Sequence, residues 1–232
     1  MSLTFDDARL SQVDVGIPVL DRHGIRGTFY VLPGNMRRRL RGWRAAVARG
    51  HEIGNHTVNH PCTGTFAWVK PENALERYTL ARMEAELLRA NLELREALGV
   101  RPTSFAYCCC QTFVGTGAQV RSYVPLVAKH FAVGRSGVSD AHNRPGRVDL
   151  AQVWSSAIDN RTFAEVRALI DAAVADGGWL VLVGHEVGRA GGTLTTTAAV
   201  LARVCAHLAA RPEIWTDTVS AIGQHVRSAA GS

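Results

Sequence analysis

Apolar positions along the chain follow two alternating rhythms. Short runs rich in β-branched and aromatic residues, at 3–5, 27–31, 51–55, 104–108, 131–134, 152–158, 179–184 and 214–216, read as strands. Between most of them the period changes to that of a helix. The clearest helical stretch is predicted over about 71–98, where Leu80, Met83, Leu87, Leu94 and Leu98 share one face, Glu84, Glu86, Arg89 and Arg95 lie off it, and Gly99 supplies a stop. Weaker patterns predict helices over 13–22, 43–49, 120–129, 163–175 and 195–210.

This alternation in a chain of 232 residues predicts an α/β protein, a distorted (β/α) barrel of seven or eight strands. A doubly wound open sheet is the alternative. No linker, low-complexity block or repeat interrupts the pattern, so residues 1–232 read as a single domain. In a barrel, chemistry gathers where strands end and loops begin. Asp6 and Asp7 end the first predicted strand, Asn55 and His56 the third, Cys108, Cys109 and Cys110 the fourth, Asp159 the sixth and His185 the seventh.

Composition narrows the functional classes. Hydrophobic residues are 47% and charged residues 20% of the chain, as expected of a folded protein with a sizeable core. The longest apolar run, 178–184, is far short of a membrane span. The first residues carry acids and no apolar signal region, so a cytoplasmic location is the default expectation, a removed leader being invisible in the sequence. The net charge of +6 includes an arginine run, Arg37, Arg38, Arg39 and Arg41, without any nucleic-acid-binding motif, and reads as a solvated face. Nucleic acid is therefore not an expected partner. Of five cysteines, three are consecutive, too close to bridge one another, and reduced thiols are expected.

Two adjacent carboxylates, Asp6 and Asp7, repel unless a cation relieves them. His56 and His60 are four residues apart, a spacing that places both on one side of a helical turn. Two imidazoles and a carboxylate form a mixed nitrogen and oxygen set suited to Zn²⁺, Co²⁺ or Fe²⁺. His185, delivered by the apolar run 180–184, is a candidate proton donor.

The order and spacing of Thr4-Phe5-Asp6-Asp7, the run 51–61 with its His-Thr-x-x-His core, the segment 105–115 and the strand ending in His185 resemble the polysaccharide deacetylases, also called the NodB-homology family or carbohydrate esterase family 4. The resemblance implies a distorted (β/α) barrel and a metal-dependent hydrolase that removes acetyl groups from an N- or O-acetylated carbohydrate or a small acetylated metabolite. It implies one divalent metal, zinc first and cobalt or another transition metal as alternatives, held by Asp7, His56 and His60. Asp6 would then be the catalytic base, His185 the general acid and the Cys109 N–H the oxyanion donor.

The sequence departs from the family at the third motif, where Ala106-Tyr107-Cys108-Cys109-Cys110 stands for an arginine-led run. The base Asp6 thereby loses a stabilising positive charge, for which Arg135 is the candidate replacement. Tyr107 is carried over as a substrate-binding residue. The thiols of the triplet have three readings: packing residues, an accessory soft ligand, or a nucleophile. For the fourth motif Trp154 and Asp159 are the best matches, with Asp159 holding the His185 imidazole, and in the fifth Val183 takes the place of a leucine beside the acetyl pocket. Alternatives are an amidohydrolase of small non-sugar amides, a degenerate carbohydrate-binding protein, and a non-haem Fe(II) oxygenase built on the same facial triad.

Overall fold

A computed structural model describes residues 1–230 of the chain. Seven strands close into a parallel barrel in chain order: β1 (Ser2–Asp6), β2 (Thr28–Val31), β3 (Glu52–Asn55), β4 (Ser104–Ala106), β5 (Val133–Val138), β6 (Val153–Ala157) and β7 (Val181–Gly184), with β7 pairing back onto β1. The closure is uneven. A single residue pair, Asn55 with Phe105, joins β3 to β4, and the register slips between Arg135 and Val138 where β5 meets β6.

The predicted eighth strand at 214–216 does not form. Its short apolar content, Ile214 and Trp215, is followed at once by polar Thr216, Asp217 and Thr218, and the segment instead crosses the start of β1, where Asp217 N donates to Met1 O at 3.0 Å. It leads into a helix the sequence pattern did not predict, Val219–Ala230, whose Val219, Ile222 and Val226 pack with Val133, Val153, Trp179 and Val181 at the lower end of the barrel.

The other helices are α1 (Ile17–Arg22), α2 (Leu40–Ala48), α3 (Leu80–Leu98), α4 (Val124–His130), α5 (Phe163–Ala175) and α6 (Ala198–Ala209), with Val219–Ala230 as α7. Before α1 the chain makes a π-turn, Gln12–Gly16. The long predicted helix begins at Leu80 rather than near Pro71. Residues Pro71–Asn73 and Leu75–Arg77 are isolated 3₁₀ turns, because extended Ala74 and Tyr78 interrupt them and Leu75 N is drawn to Cys62 O at 2.9 Å. Thr79 then caps α3, accepting from Arg82 N, and left-handed Gly99 closes it. The predicted helix over 195–210 loses its first turn to a ribbon, Thr195–Thr197 pairing with Glu186–Gly188, after which Thr197 caps α6. A capping box of Thr162 and Glu165 starts α5 where the pattern predicts.

Alternation along the strands sorts apolar from polar. Leu3 and Phe5 of β1 and Leu182 of β7 join the cluster under the helices. The lumen is polar, with buried Thr4, Thr28, Ser104 and Ser155. In its lower part the Glu52 carboxylate accepts from Thr28 Oγ1 (2.8 Å), from Ser104 Oγ, and from both the amide (3.0 Å) and hydroxyl of Ser220 in the first turn of α7. Gly54 is glycine because a Cβ there would lie 2.4 Å from the Tyr30 ring.

Candidate active site

Strand alternation places Asp6 opposite in sense to Phe5, on the lumen side of β1. Asp7 and Ala8 then leave the strand in left-handed backbone, φ 75° and 52°. This turn is fastened by neighbours: Gln12 Nε2 donates to the carbonyls of Asp6 and His185, and Asn35 Nδ2 donates to Asp7 O at 2.9 Å. The Asp7 carboxylate is thereby aimed at two imidazoles. Its Oδ1 lies 3.5 Å from His56 Nε2 and 3.5 Å from His60 Nε2, while its Oδ2 accepts from Arg9 at 2.9 Å. Burial alone would raise the Asp7 carboxyl, but the His56 hydrogen bond and the nearby imidazoles outweigh it and hold the group well below the usual carboxylate range.

His56 and His60 converge without a helix. The loop after β3 turns back through Thr57 and His60, both left-handed at φ 63° and 48°. Asn55 Oδ1 accepts from Thr57 N, Thr57 Oγ1 accepts from His60 N, and Glu86 of α3 accepts from the amides of Val58 (3.1 Å) and Asn59 (3.2 Å). The four-residue spacing thus works through a side-chain-laced loop rather than the helical turn expected. His56 Nδ1 lies 2.9 Å from Ala106 O; a carbonyl can only accept, so this nitrogen carries a proton and Nε2 is the nitrogen turned to Asp7. Burial, with the His56 charge beside it, pushes His60 down to about 4.

Asp6 meets a guanidinium that crosses the lumen from β5. Arg135 of β5, fully buried, donates through Nη2 to Asp6 Oδ2 and through Nη1 to Ser155 Oγ at 3.3 Å, and lies 5.1 Å from the Tyr30 ring centre. Ala106 and Arg135 are partners in register across β4 and β5. The charge missing at Ala106 is therefore supplied one strand over, at the same level of the barrel. Asp6 Oδ1 has no hydrogen-bond partner among the described residues.

Across the same pocket, His185 follows β7, and its Nδ1 lies 2.6 Å from Asp159 Oδ2. Asp159 Oδ1 accepts from His185 N (3.2 Å) and Thr196 Oγ1 (2.9 Å), so the carboxylate is fixed on three sides. Burial works against charge on His185, but the Asp159 hydrogen bond and the carboxylates of Asp6, Asp159 and Asp7 raise it above the ordinary histidine value.

The third-motif region departs furthest from expectation. Cys109 is not a reduced thiol: it is bridged to Cys62, 47 positions away in sequence, with a Cα separation of 6.2 Å. Spacing within the triplet excluded bridges between neighbours but carried no information on a partner in another rim loop. Cys108 is a buried free thiol; its Sγ is 4.0 Å from His56 Nδ1, a nitrogen already committed to Ala106 O, and it lies within ligating reach of His56 and His60. Cys109 and Cys110 are left-handed at φ 50° and 58°, and Cys109 lines the pocket.

Three predicted positions lie elsewhere. The Tyr107 ring is buried against Phe105 and Tyr123, and its hydroxyl donates to Ala151 O at 2.8 Å, away from the pocket. Val183 is buried in the barrel below the pocket and does not line it. Trp154 is half exposed on the outer side, packed over Gly137, so Asp159 alone supports His185.

The pocket, about 490 Å³, brings together Asp6, Asp7, His56, His60, His185 and Cys109. Sequence reading missed five of its walls: Arg9, two residues after the aspartate pair, Leu32, Asn35, and two exposed apolar side chains, Trp68 and Leu194. Trp68 lies 5.7 Å from the His60 ring and stacks on Phe66. The only local signal was apolar residues in otherwise polar loops. One carboxylate oxygen equidistant from two Nε2 atoms, with the His56 tautomer fixed, is a donor set that fits a divalent cation of the zinc class.

Comparison with known proteins agrees with this picture. Residues 1–112 match the family model of polysaccharide deacetylase. The peptidoglycan-N-acetylglucosamine deacetylase PgdA of Listeria monocytogenes is 36% identical over 62 residues, 26% of this chain and 13% of that protein. The chain spans a quarter or less of the length of the curated relatives it matches. Among solved structures, a candidate polysaccharide deacetylase from Mycobacterium smegmatis superposes with a TM-score of 0.72 at 19% identity, covering 98% of this chain and 90% of that one. A mutant CE4-family pseudoenzyme with restored enzymatic activity gives a TM-score of 0.57 at 14% identity, covering 96% and 66%.

Proposed function

We propose, for a chain whose resemblance to the polysaccharide deacetylases rests on motifs, family model and barrel together, that the site removes acetyl groups from an acetylated carbohydrate or a small acetylated metabolite by metal-dependent hydrolysis. The observation that carries this reading is the convergence of Asp7 Oδ1 on His56 Nε2 and His60 Nε2 in one pocket with a second carboxylate and a third histidine. A divalent ion held by Asp7, His56 and His60, zinc first and cobalt or another transition metal as alternatives, supplies Lewis acidity toward the acyl group and a more acidic water.

The chain's own residues divide the proton work. Asp6, held and charge-balanced by Arg135, takes up the proton of the attacking water. The Cys109 N–H faces the developing oxyanion from the pocket wall. His185 keeps its Nδ1 proton on Asp159, which leaves Nε2 to donate to the departing amine or alcohol. Trp68 and Leu194 offer apolar walls suited to the faces of a sugar ring. Arg135 removes the main argument for a degenerate site, because the charge absent from Ala106 is present at Asp6.

Acetate release is the direct test, on N-acetylated and O-acetylated oligosaccharides, an acetylated sugar nucleotide and a small non-sugar amide, with and without chelator. The reading expects chelator-sensitive acetate from a sugar substrate, and a fall of ~10²- to 10⁴-fold in Asp6→Asn with metal content kept. Bound metal with no acetate from any substrate would leave a carbohydrate-binding protein. Release from the non-sugar amide alone would make it an amidohydrolase, and activity dependent on O₂ an oxygenase.

A further inference from the structure

The Cys62–Cys109 bridge ties the loop that carries His60 to the loop that presents the Cys109 amide, so it spans the candidate metal centre. Cys62 Sγ lies 3.6 Å from His60 Nδ1. The donor atoms of His60, Cys62 and Cys109 all fall within 4.8 Å of one another, close enough for a single ion. His60 and Cys109 both sit in left-handed backbone, φ 48° and 50°. Cys109 is partly exposed on the pocket side, whereas Cys62 is buried.

We propose that this bridge is a redox switch on the metal centre: opened, Cys62 and Cys109 join His60 in a thiolate site for a soft divalent ion, and His60 is withdrawn from Asp7 and His56. The inference rests on the hydrolase reading above. The reductant is an external dithiol. Its thiolate attacks Cys109 Sγ from the pocket, the Cys62–Cys109 bond breaks, and Cys62 leaves as a thiolate. The second thiol of the reductant then attacks the mixed disulfide, releasing Cys109 and forming the oxidised cyclic reductant. Two electrons pass to the protein, and the two reductant protons end on the cysteines, or in solvent where the ion takes both thiolates. Imidazole and thiolate together hold such an ion more tightly than imidazole and carboxylate.

The test titrates Co²⁺ into oxidised and dithiol-reduced protein, freed of reductant, with alkylation and mass mapping to report the state of Cys62 and Cys109. Because the Cys108 thiol also lies within ligating reach of His56 and His60, both states are measured in a Cys108→Ser background, where the oxidised protein should bind Co²⁺ without thiolate-to-metal charge-transfer absorption. The reduced protein should gain that absorption, bind Co²⁺ at least ~10-fold more tightly and lose at least ~10-fold in acetate release, all reversed by reoxidation. Cys62→Ser should lack the absorption after reduction and show turnover indifferent to dithiol; should that variant not fold, the wild-type comparison decides alone. Reduced wild type with both thiols free and no charge-transfer absorption, or with absorption and undiminished turnover, overturns the switch while the hydrolase reading stands. Absorption on reduction of a protein that hydrolyses nothing when oxidised overturns the hydrolase reading and leaves only the thiolate site.

Discussion

At the scale of single residues, two buried pairs decide the chemistry. Arg135 and Asp6 are both nearly inaccessible, with side chains 1% and 8% exposed, so removing one partner strands the other's charge. Arg135→Met is expected to lower unfolding stability by ~3–5 kcal/mol in urea titration, with Arg135→Lys recovering part of it. The His185–Asp159 pair sets a pH dependence. His185 must be protonated to donate, so turnover is kept while pH is below its raised native value and falls as pH climbs through it. Asp159→Asn removes the first of the raising influences; the alkaline limb of the kcat profile should move to lower pH, and kcat at neutral pH should fall by ~10²-fold or more. The same shift contributes to folding stability, complete below the unfolded histidine value of about 6.5 and lost as pH rises through the native one.

At the scale of elements, the loop after β3 owes its shape to α3. Glu86, buried on that helix, gathers the Val58 and Asn59 amides and the Asn59 side chain, and so holds the turn that brings His60 back beside His56. Glu86→Ala should loosen metal binding by about 10- to 100-fold in competition with a chromophoric chelator, although Glu86 touches no ligand atom directly. The sequence shows Glu86 only as a helix-face polar residue, because its partners are backbone amides nearly thirty positions away. The same reason hid the Cys62–Cys109 bridge, whereas Asp7, His56 and His60 were legible because residue type and local spacing carry most of their meaning. Asp159 and Arg135 fall between these cases: the family resemblance named them with their partners, His185 and Asp6, but only the barrel's register shows that each pair can meet.

At the scale of the whole molecule, the barrel positions every rim group, and an ion shared by β1 and the loop after β3 would lock two of its sectors together. Zinc at about 100 times its dissociation constant should add ~2.7 kcal/mol, raising the melting temperature by ~5–10 °C in a domain of this size, and chelator should reverse it. Of the seven or eight strands expected, seven form: apolar content at 214–216 resembles a strand in sequence, while the ring already closes between β7 and β1. Helix α7 escaped notice for the opposite reason, its apolar positions being sparse and meaningful only against the lower ends of β5, β6 and β7. That helix has a consequence for how the chain is made. Glu52, from the early third strand, finds half of its hydrogen-bond donors in the first turn of α7, where the positive end of the helix also favours a carboxylate. During synthesis the first five strands emerge long before residue 220, and until it leaves the ribosome Glu52 has an anion with unfilled acceptor sites inside a half-built lumen. The full donor set of Glu52 therefore exists only once α7 has docked, which makes the lower lumen the last part of the barrel to be completed.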